Sequence, residues 1–205
     1  MGKVERDMRP LIEQVRERPL IHLAKNLGYD INNWLEQAIK PLNETVRVNP
    51  LRNDWQWTIK ILQKYGAIKL PWYTKSAGAW QLPWERGKAP DEEKRVVISS
   101  LHQTGRLTLQ EAASMLPVQL LNPKPGQRIL DLCAAPGSKT TQICEAINDT
   151  GLVLANDPNS SRLNTLVSNN NRMGFTSIVI TRHDGRHLPR VPIPGFDGVL
   201  VDVPC

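Results

Sequence analysis

The 205-residue sequence has no apolar run approaching the roughly 18 residues that a membrane span requires. Residues 1–10 (MGKVERDMRP) lack the apolar core of a secretory signal, and Arg6 stands where an acylation motif wants Ser or Thr. The three cysteines, Cys133, Cys144 and Cys205, are widely spaced and odd in number. They suggest neither a disulfide framework nor a zinc site, and no metal is expected. A reducing, cytosol-like compartment follows as the simplest reading. No internal repeat and no low-complexity tract occurs. Both the G-x-G-x-x-G fingerprint and the G-x-x-x-x-G-K-[ST] P-loop are missing, so two common nucleotide-binding devices are excluded.

What is present is the composition of a globular chain, 40% apolar and 22% charged, with a net charge of +6. The charge is uneven. Residues 1–116 carry 18 Lys+Arg against 13 Asp+Glu, whereas residues 117–205 carry 8 against 7. All six tryptophans (Trp34, Trp55, Trp57, Trp72, Trp80 and Trp84) lie in the first part. A basic, Trp-rich region beside a near-neutral one suggests a surface that faces nucleic acid. Taken one by one, most of these tryptophans read more simply as core.

Two regions are expected, 1–116 and 117–205. The first reads as mainly helical. Pro10 and Pro19 open helical segments that end near Gly28, and Asn32 or Asn33 can cap a helix carrying Trp34, Leu35, Ala38 and Ile39. Residues 44–48 alternate as a short strand. Asn53 or Asp54 can cap a helix with Trp55, Thr58, Ile59 and Leu62 on one side and Gly66 at its end. Residues 67–90 read as loops with short strands, 91–103 as a helix with acids in its first turn, and Thr108 with Glu111 as a capping box.

After Pro123 strands and helices alternate. Strands are predicted at about 128–133, 152–155, 177–181 and 198–203, with helices at about 139–148 and 159–173. The second helix turns Leu163, Leu166 and Val167 inward. This alternation argues for an α/β fold with a parallel, doubly wound sheet, in which ligands sit beyond the carboxyl ends of the strands. The first strand runs into Ala134-Ala135-Pro136-Gly137, a tight turn, and Ser138 opens a helix whose free N–H groups can meet ligand oxygens. Each strand ends in or near an acid: Asp131, Asp157, Asp184 and Asp202. Any one of these reads as a solvated loop residue; together with the turn they form a candidate site. Lys139 is free either to pair with a carboxylate there or to lie exposed. Cys144 follows the helical core pattern and reads as a small buried residue.

The ten residues DLCAAPGSKT (131–140) closely resemble the cofactor motif of the Sun-domain family of RNA cytosine-5 methyltransferases, which use S-adenosylmethionine. The resemblance implies a Rossmann-like methyltransferase sheet, of which this sequence carries the first four strands. It implies cofactor contacts from Cys133, Ala134, Ala135, Pro136, Gly137, Ser138 and Lys139. Asp157 would accept hydrogen bonds from both ribose hydroxyls, Asp184 would lie near the adenine amine, and Asp202 near the cofactor's reactive end and the target base. Cys133 would line the pocket without thiol chemistry.

Asp202-Val203-Pro204-Cys205 resembles the family's fourth motif. In the RNA enzymes a cysteine in a later Thr-Cys motif adds to carbon 6 of cytosine, which makes carbon 5 nucleophilic enough to take the methyl group. The Pro-Cys cysteine assists product release, so that role is carried over to Cys205. No Thr-Cys motif occurs in the sequence. The chain is therefore expected to be a fragment or one half of a split enzyme. The alternatives are an RNA- and cofactor-binding protein that lacks the nucleophile, or a chain in which Cys205 itself attacks, as in the DNA cytosine methyltransferases. Val46 to Leu51 (VRVNPL) resembles the family's R-V-N-x-L segment. Lys69 to Tyr73, Ala79 to Leu82 and Gln110 to Pro117 most resemble the tRNA-methylating branch of eukaryotes and archaea. The resemblance thus covers residues 44–205 and implies an RNA partner, tRNA by these segments, with residues 1–116 binding it. The compartment implied is the cytoplasm, or the nucleus in a eukaryote.

Overall fold

The computed structural model describes residues 19–38, 40–75, 77–188 and 195–203. The chain divides into two compact units, Met1–Leu42 and Asn43–Cys205. Within the first, helices α1 (Pro19–Asn26) and α2 (Ile31–Ala38) pack together. The cap of α2 is Asp30, whose Oδ1 accepts the Asn33 N–H at 2.9 Å. Neither Asn32 nor Asn33 fills the capping position expected of them, because both already lie inside the helix. Residues 10–18 of the expected first helix, and Ile39, lie outside the described residues.

The second unit has two layers. The first is built from β1 (Asn43–Val48), α3 (Trp55–Lys64), β2 (Ile68–Lys69), β3 (Ala79–Glu85), α4 (Glu92–Gln103) and β4 (Leu107–Leu109). Its strands form an antiparallel sheet in the order β2-β3-β1-β4. The mainly helical region of the sequence reading is thus organised on a sheet. Strand β3 carries the apolar alternation of Trp80, Leu82 and Trp84, although Pro83 within it has no N–H to give a ladder and argues against a strand. Pro83 is exposed and sits where the β1–β3 register slips, a position that costs no ladder bond. The buried face joins Val46, Val48, Leu82 and Leu107 to Leu62 and Ile98 of the covering helices.

Local capping and tertiary pairing compete twice in this layer, and pairing wins. Asp54 precedes α3 but makes no side-chain cap; its carboxylate meets Arg106 Nε at 2.7 Å. Thr108 does not open a capping box, because it lies in β4 opposite Arg47 of β1. Glu111 takes the N-cap position of the next helix without a side-chain bond. Where nothing competes the rule holds: Asp91 caps α4 by accepting the Lys94 N–H at 2.8 Å.

The second layer comprises α5 (Ala112–Leu121), β5 (Arg128–Asp131), α6 (Ser138–Ala146), β6 (Leu152–Asn156), α7 (Ser160–Met173), β7 (Ile178–Thr181), a 3₁₀ turn (Gly185–His187) and β8 (Gly198–Leu200). Pro117, taken as the start of the second region, lies inside α5. The strands are all parallel in the order β7-β6-β5-β8, the 3-2-1-4 pattern of a doubly wound sheet. Strand β5 ends at Asp131 rather than 133, and β8 at Leu200 rather than 203. Leu166 is fully buried against Ala134, Ala135 and Ala155, whereas Val167, expected inward, is exposed.

Helix α6 is buried from Thr140 to Ala146, on its polar side as well as its apolar one. The polar side meets Arg47 of β1. The Arg47 guanidinium is fully buried and donates to Glu145 Oε2 at 2.6 Å, Thr141 Oγ1 at 3.1 Å, the Ser138 carbonyl at 3.2 Å, and Gln110 Oε1. Burial alone would lower the pKa of Arg47, but the Glu145 carboxylate more than offsets this and holds it above its ordinary value. Among the described residues no helix is long and apolar enough to cross a membrane.

Candidate functional site

The strand order reverses between β5 and β8, and the segments that follow these two strands enclose a cleft of about 190 Å³. Its lining includes Cys133, Ala134, Ala135, Pro136, Ser138 and Lys139 from the turn after β5, Asp202 and Val203 from beyond β8, and Arg162 from α7. The turn is held from below. Ala134 N–H donates to the Asn156 carbonyl at 2.8 Å, and Thr140 Oγ1 donates to Asp131 Oδ2 at 2.7 Å. Gly137 takes φ +105°, and a Cβ there would stand 2.6 Å from Leu166 Cδ1, so glycine alone lets α7 approach this closely.

Lys139 takes the paired alternative, with Nζ 2.6 Å from Asp202 Oδ2 across the mouth of the cleft. Asp157 follows β6 and is fully buried. Its Oδ1 accepts the Asn159 N–H at 2.9 Å, while Oδ2 accepts no hydrogen bond and faces Arg162 Nη1 at 3.2 Å. Asp184 is not among the cleft-lining residues. Its carboxylate accepts the Arg186 N–H and guanidinium, which hold its pKa well below the usual carboxylate range. Its turn is nevertheless brought beside the cleft loop, because Gly185 packs on Leu132. Cys133 lines the cleft with its thiol pKa pushed up by burial and by Asp157 and Asp131, so it stays protonated at neutral pH. Cys144 is buried and its pKa is likewise raised, as fits a core residue. Pro204 and Cys205 lie outside the described residues.

Two contributors were not singled out from the sequence. Asn156 ties the strand ends together, donating to the carbonyls of Leu132 and His183 and accepting the His183 N–H. Arg162 spans from Asp157 to the Ala135 carbonyl. A cation in the first turn of a helix opposes the helix dipole, and that local conflict was the available signal for Arg162. Asp131, expected among the strand-end acids, is buried. Burial raises its pKa to about 6, partly offset by the Thr140 hydrogen bond.

The Asp131 shift has a definite sign. A carboxyl whose pKa is higher folded than unfolded contributes its stability fully below about pH 4 and loses it as pH rises through about 6. The unfolding free energy of the wild type, relative to Asp131→Asn, is expected to fall by about 2–3 kcal/mol between pH 4 and 7. Urea titrations of both proteins across that range measure it.

A four-stranded parallel sheet in 3-2-1-4 order, a glycine turn into a helix at its switch point and an acid beyond the second strand define a Rossmann-like methyltransferase fold. Solved structures agree. The methyltransferase homolog protein from Pyrococcus horikoshii is 28% identical with TM-score 0.64, over 92% of this chain and 64% of that one. The NSun6 structure from the same organism, determined with SFG, has TM-score 0.69 at 19% identity, over 92% of this chain and 70% of that one. Residues 118–205 match the family model described as 16S rRNA methyltransferase RsmB/F. A 28S rRNA (cytosine-C(5))-methyltransferase of Mus musculus is 50% identical over 101 residues, 49% of this chain and 13% of that protein. The ribosomal RNA small subunit methyltransferase F of Escherichia coli O157:H7 is 34% identical over 200 residues, 95% of this chain. The chain spans 39% of that relative's length.

Proposed function

We propose that the chain carries the cofactor-binding part of an S-adenosylmethionine-dependent RNA cytosine-5 methyltransferase. The observation that carries this reading is the cleft at the strand-order switch, whose lining residue Arg162 faces a buried Asp157 oxygen that accepts no hydrogen bond. The residues present fit the cofactor. Two ribose hydroxyls need a carboxylate acceptor, which Asp157 would provide, and the sulfonium end would lie near Asp202. The cofactor, when bound, supplies an activated methyl group. The chain's own residues do the rest of the binding. The Cys133–Gly137 turn offers backbone, the start of α6 offers N–H groups, and Lys139 fixes the Asp202 carboxylate near the reacting end. Asp184 is kept as an adenine contact and Cys205 as the release residue, both by resemblance. The attacking cysteine is assigned to no residue of this sequence.

The relatives above are named for ribosomal RNA, which makes ribosomal RNA the first substrate to test. The segments at Lys69–Tyr73, Ala79–Leu82 and Gln110–Pro117 favour tRNA as the second reading. The RNA-binding role is given to the basic region that precedes the parallel sheet.

The chain is to be incubated with methyl-labelled S-adenosylmethionine and, separately, with unmodified ribosomal RNA and tRNA, then digested and assayed for 5-methylcytidine. Cofactor binding without product supports the reading, since the attacking cysteine is assigned to no residue of this chain. Product on either RNA names the substrate and makes a group of this chain the nucleophile, which overturns the release role of Cys205. No cofactor binding by a folded chain overturns the reading. Asp157→Ala is expected to weaken cofactor binding at least about tenfold by calorimetry, since it removes an ionised acceptor whose hydrogen bonds contribute about 1.5–3 kcal/mol each.

A further inference from the structure

Of the six tryptophans, Trp80 and Trp84 are buried and Trp34, Trp55 and Trp72 are half-buried. Trp57 is 52% exposed. It stands on α3, and the positions three and seven residues on are Lys60 and Lys64, both exposed. Residues at this spacing share one helix face. The Arg106 guanidinium lies over the Trp57 ring, 5.9 Å from its centroid, and is held there by Asp54 at 2.7 Å. Lys60 and Lys64 make no ion pair among the described residues. The helix underneath is firm, because Thr58 and Leu62 are fully buried in the antiparallel layer.

We infer that this face of α3 is a docking surface for single-stranded RNA, with a base stacked on Trp57 and phosphates held by Lys60, Lys64 and Arg106. Asp54 is the acid that faces the patch, and it is engaged by Arg106, so the free charge is positive and complements a polyanion. A flat aromatic ring bordered by cations suits any base, because every base offers a π-face. Exposed lysines without acidic partners suit phosphate, because condensed counterions are released on binding. The patch lies in the antiparallel layer, and none of its residues lines the cofactor cleft. It serves to hold a strand of the substrate, and a role in the chemistry is not part of it. This inference rests on the reading of the chain as an RNA enzyme.

The test compares the wild type with Trp57→Ala, Trp57→Phe and the double variant Lys60→Gln/Lys64→Gln, each confirmed folded by its thermal melt. Binding of a labelled single-stranded oligoribonucleotide and of a duplex of the same sequence is followed across salt concentrations. Trp57→Ala is expected to lose single-strand affinity roughly fivefold or more, with Trp57→Phe restoring most of it. The double lysine variant is expected to flatten the salt dependence by about 0.7 in logarithmic slope per lysine. Unchanged affinity in Trp57→Ala overturns the proposal, and leaves the patch to a protein partner. Equal loss on the duplex overturns it too, since paired bases cannot stack on a side chain. Failure of the wild type to bind any RNA overturns both this proposal and the RNA reading beneath it.

Discussion

Arg47→Met is expected to destabilise the Asn43–Cys205 unit by about 3–5 kcal/mol, the largest effect of any single substitution considered. The cause is the group left behind. Glu145 is almost fully buried and its carboxylate takes the Arg47 Nε–H at 2.6 Å and the Nη2–H at 3.2 Å. Removing the cation strands a charge away from water, which is far costlier than the net worth of the pair. Gln110 and the Ser138 carbonyl lose a donor in the same step. Glu145→Gln should cost a comparable amount, because the amide keeps an acceptor but leaves the buried, permanently charged Arg47 guanidinium without its anion. The double variant Arg47→Met/Glu145→Met is expected to recover much of the loss. A double-mutant cycle by chemical denaturation checks this, and a double variant no more stable than Arg47→Met would refute the account. Arg47 also reaches the first turn of α6, so the surviving Arg47→Met protein should bind cofactor more weakly than its folded fraction explains.

Gly137→Ala is expected to be nearly as damaging, by a different route. At φ +105° an L residue is strained, at about 1–3 kcal/mol, whatever its surroundings. Here the new methyl would also stand 2.6 Å from Leu166 Cδ1, and Leu166 is packed without exposure among Ala134, Ala135 and Ala155. Leu166 cannot move without opening that cluster, so the turn must move instead. The expected signature is a fall in thermal stability together with loss of cofactor binding of about a hundredfold, beyond that of Asp157→Ala. Leu166→Ala placed in the Gly137→Ala background should relieve part of the clash and return part of the binding. If Gly137→Ala binds the cofactor as the wild type does, the turn is not the cofactor cradle.

The parallel layer was legible because its signals are local. Apolar runs of strand length, helical spacing between them and an acid after each strand name the elements without reference to the rest of the chain. The turn at 133–139 was legible as one block, since Pro136 fixes its own φ, Gly137 admits a positive φ and Ser138 suits a helix start. The antiparallel layer was less so. Strand β3 lies in a stretch rich in Pro and Gly, and only the slipped register against β1 makes the proline within it harmless. Thr108 and Glu111 have the spacing of a capping box, yet β4 needs Thr108 extended to pair with Arg47.

By itself, then, the sequence determined the kind of fold, the position of the glycine turn and the acids at the strand ends, because each depends on neighbours along the chain. Only the tertiary structure decided how Lys139 and Asp202 meet across the cleft, that Arg162 rather than solvent faces Asp157, and that Asn156 locks the strand ends. It decided as well that the polar side of α6 is buried, because Arg47 meets Thr141 and Glu145 from a strand 98 residues away from Glu145 in sequence. The same holds for the tryptophans, five of which the packing covers and one of which it leaves out. Burial is a property of what comes to lie on a surface, and long-range pairing of strands settles that after local propensity has done its part.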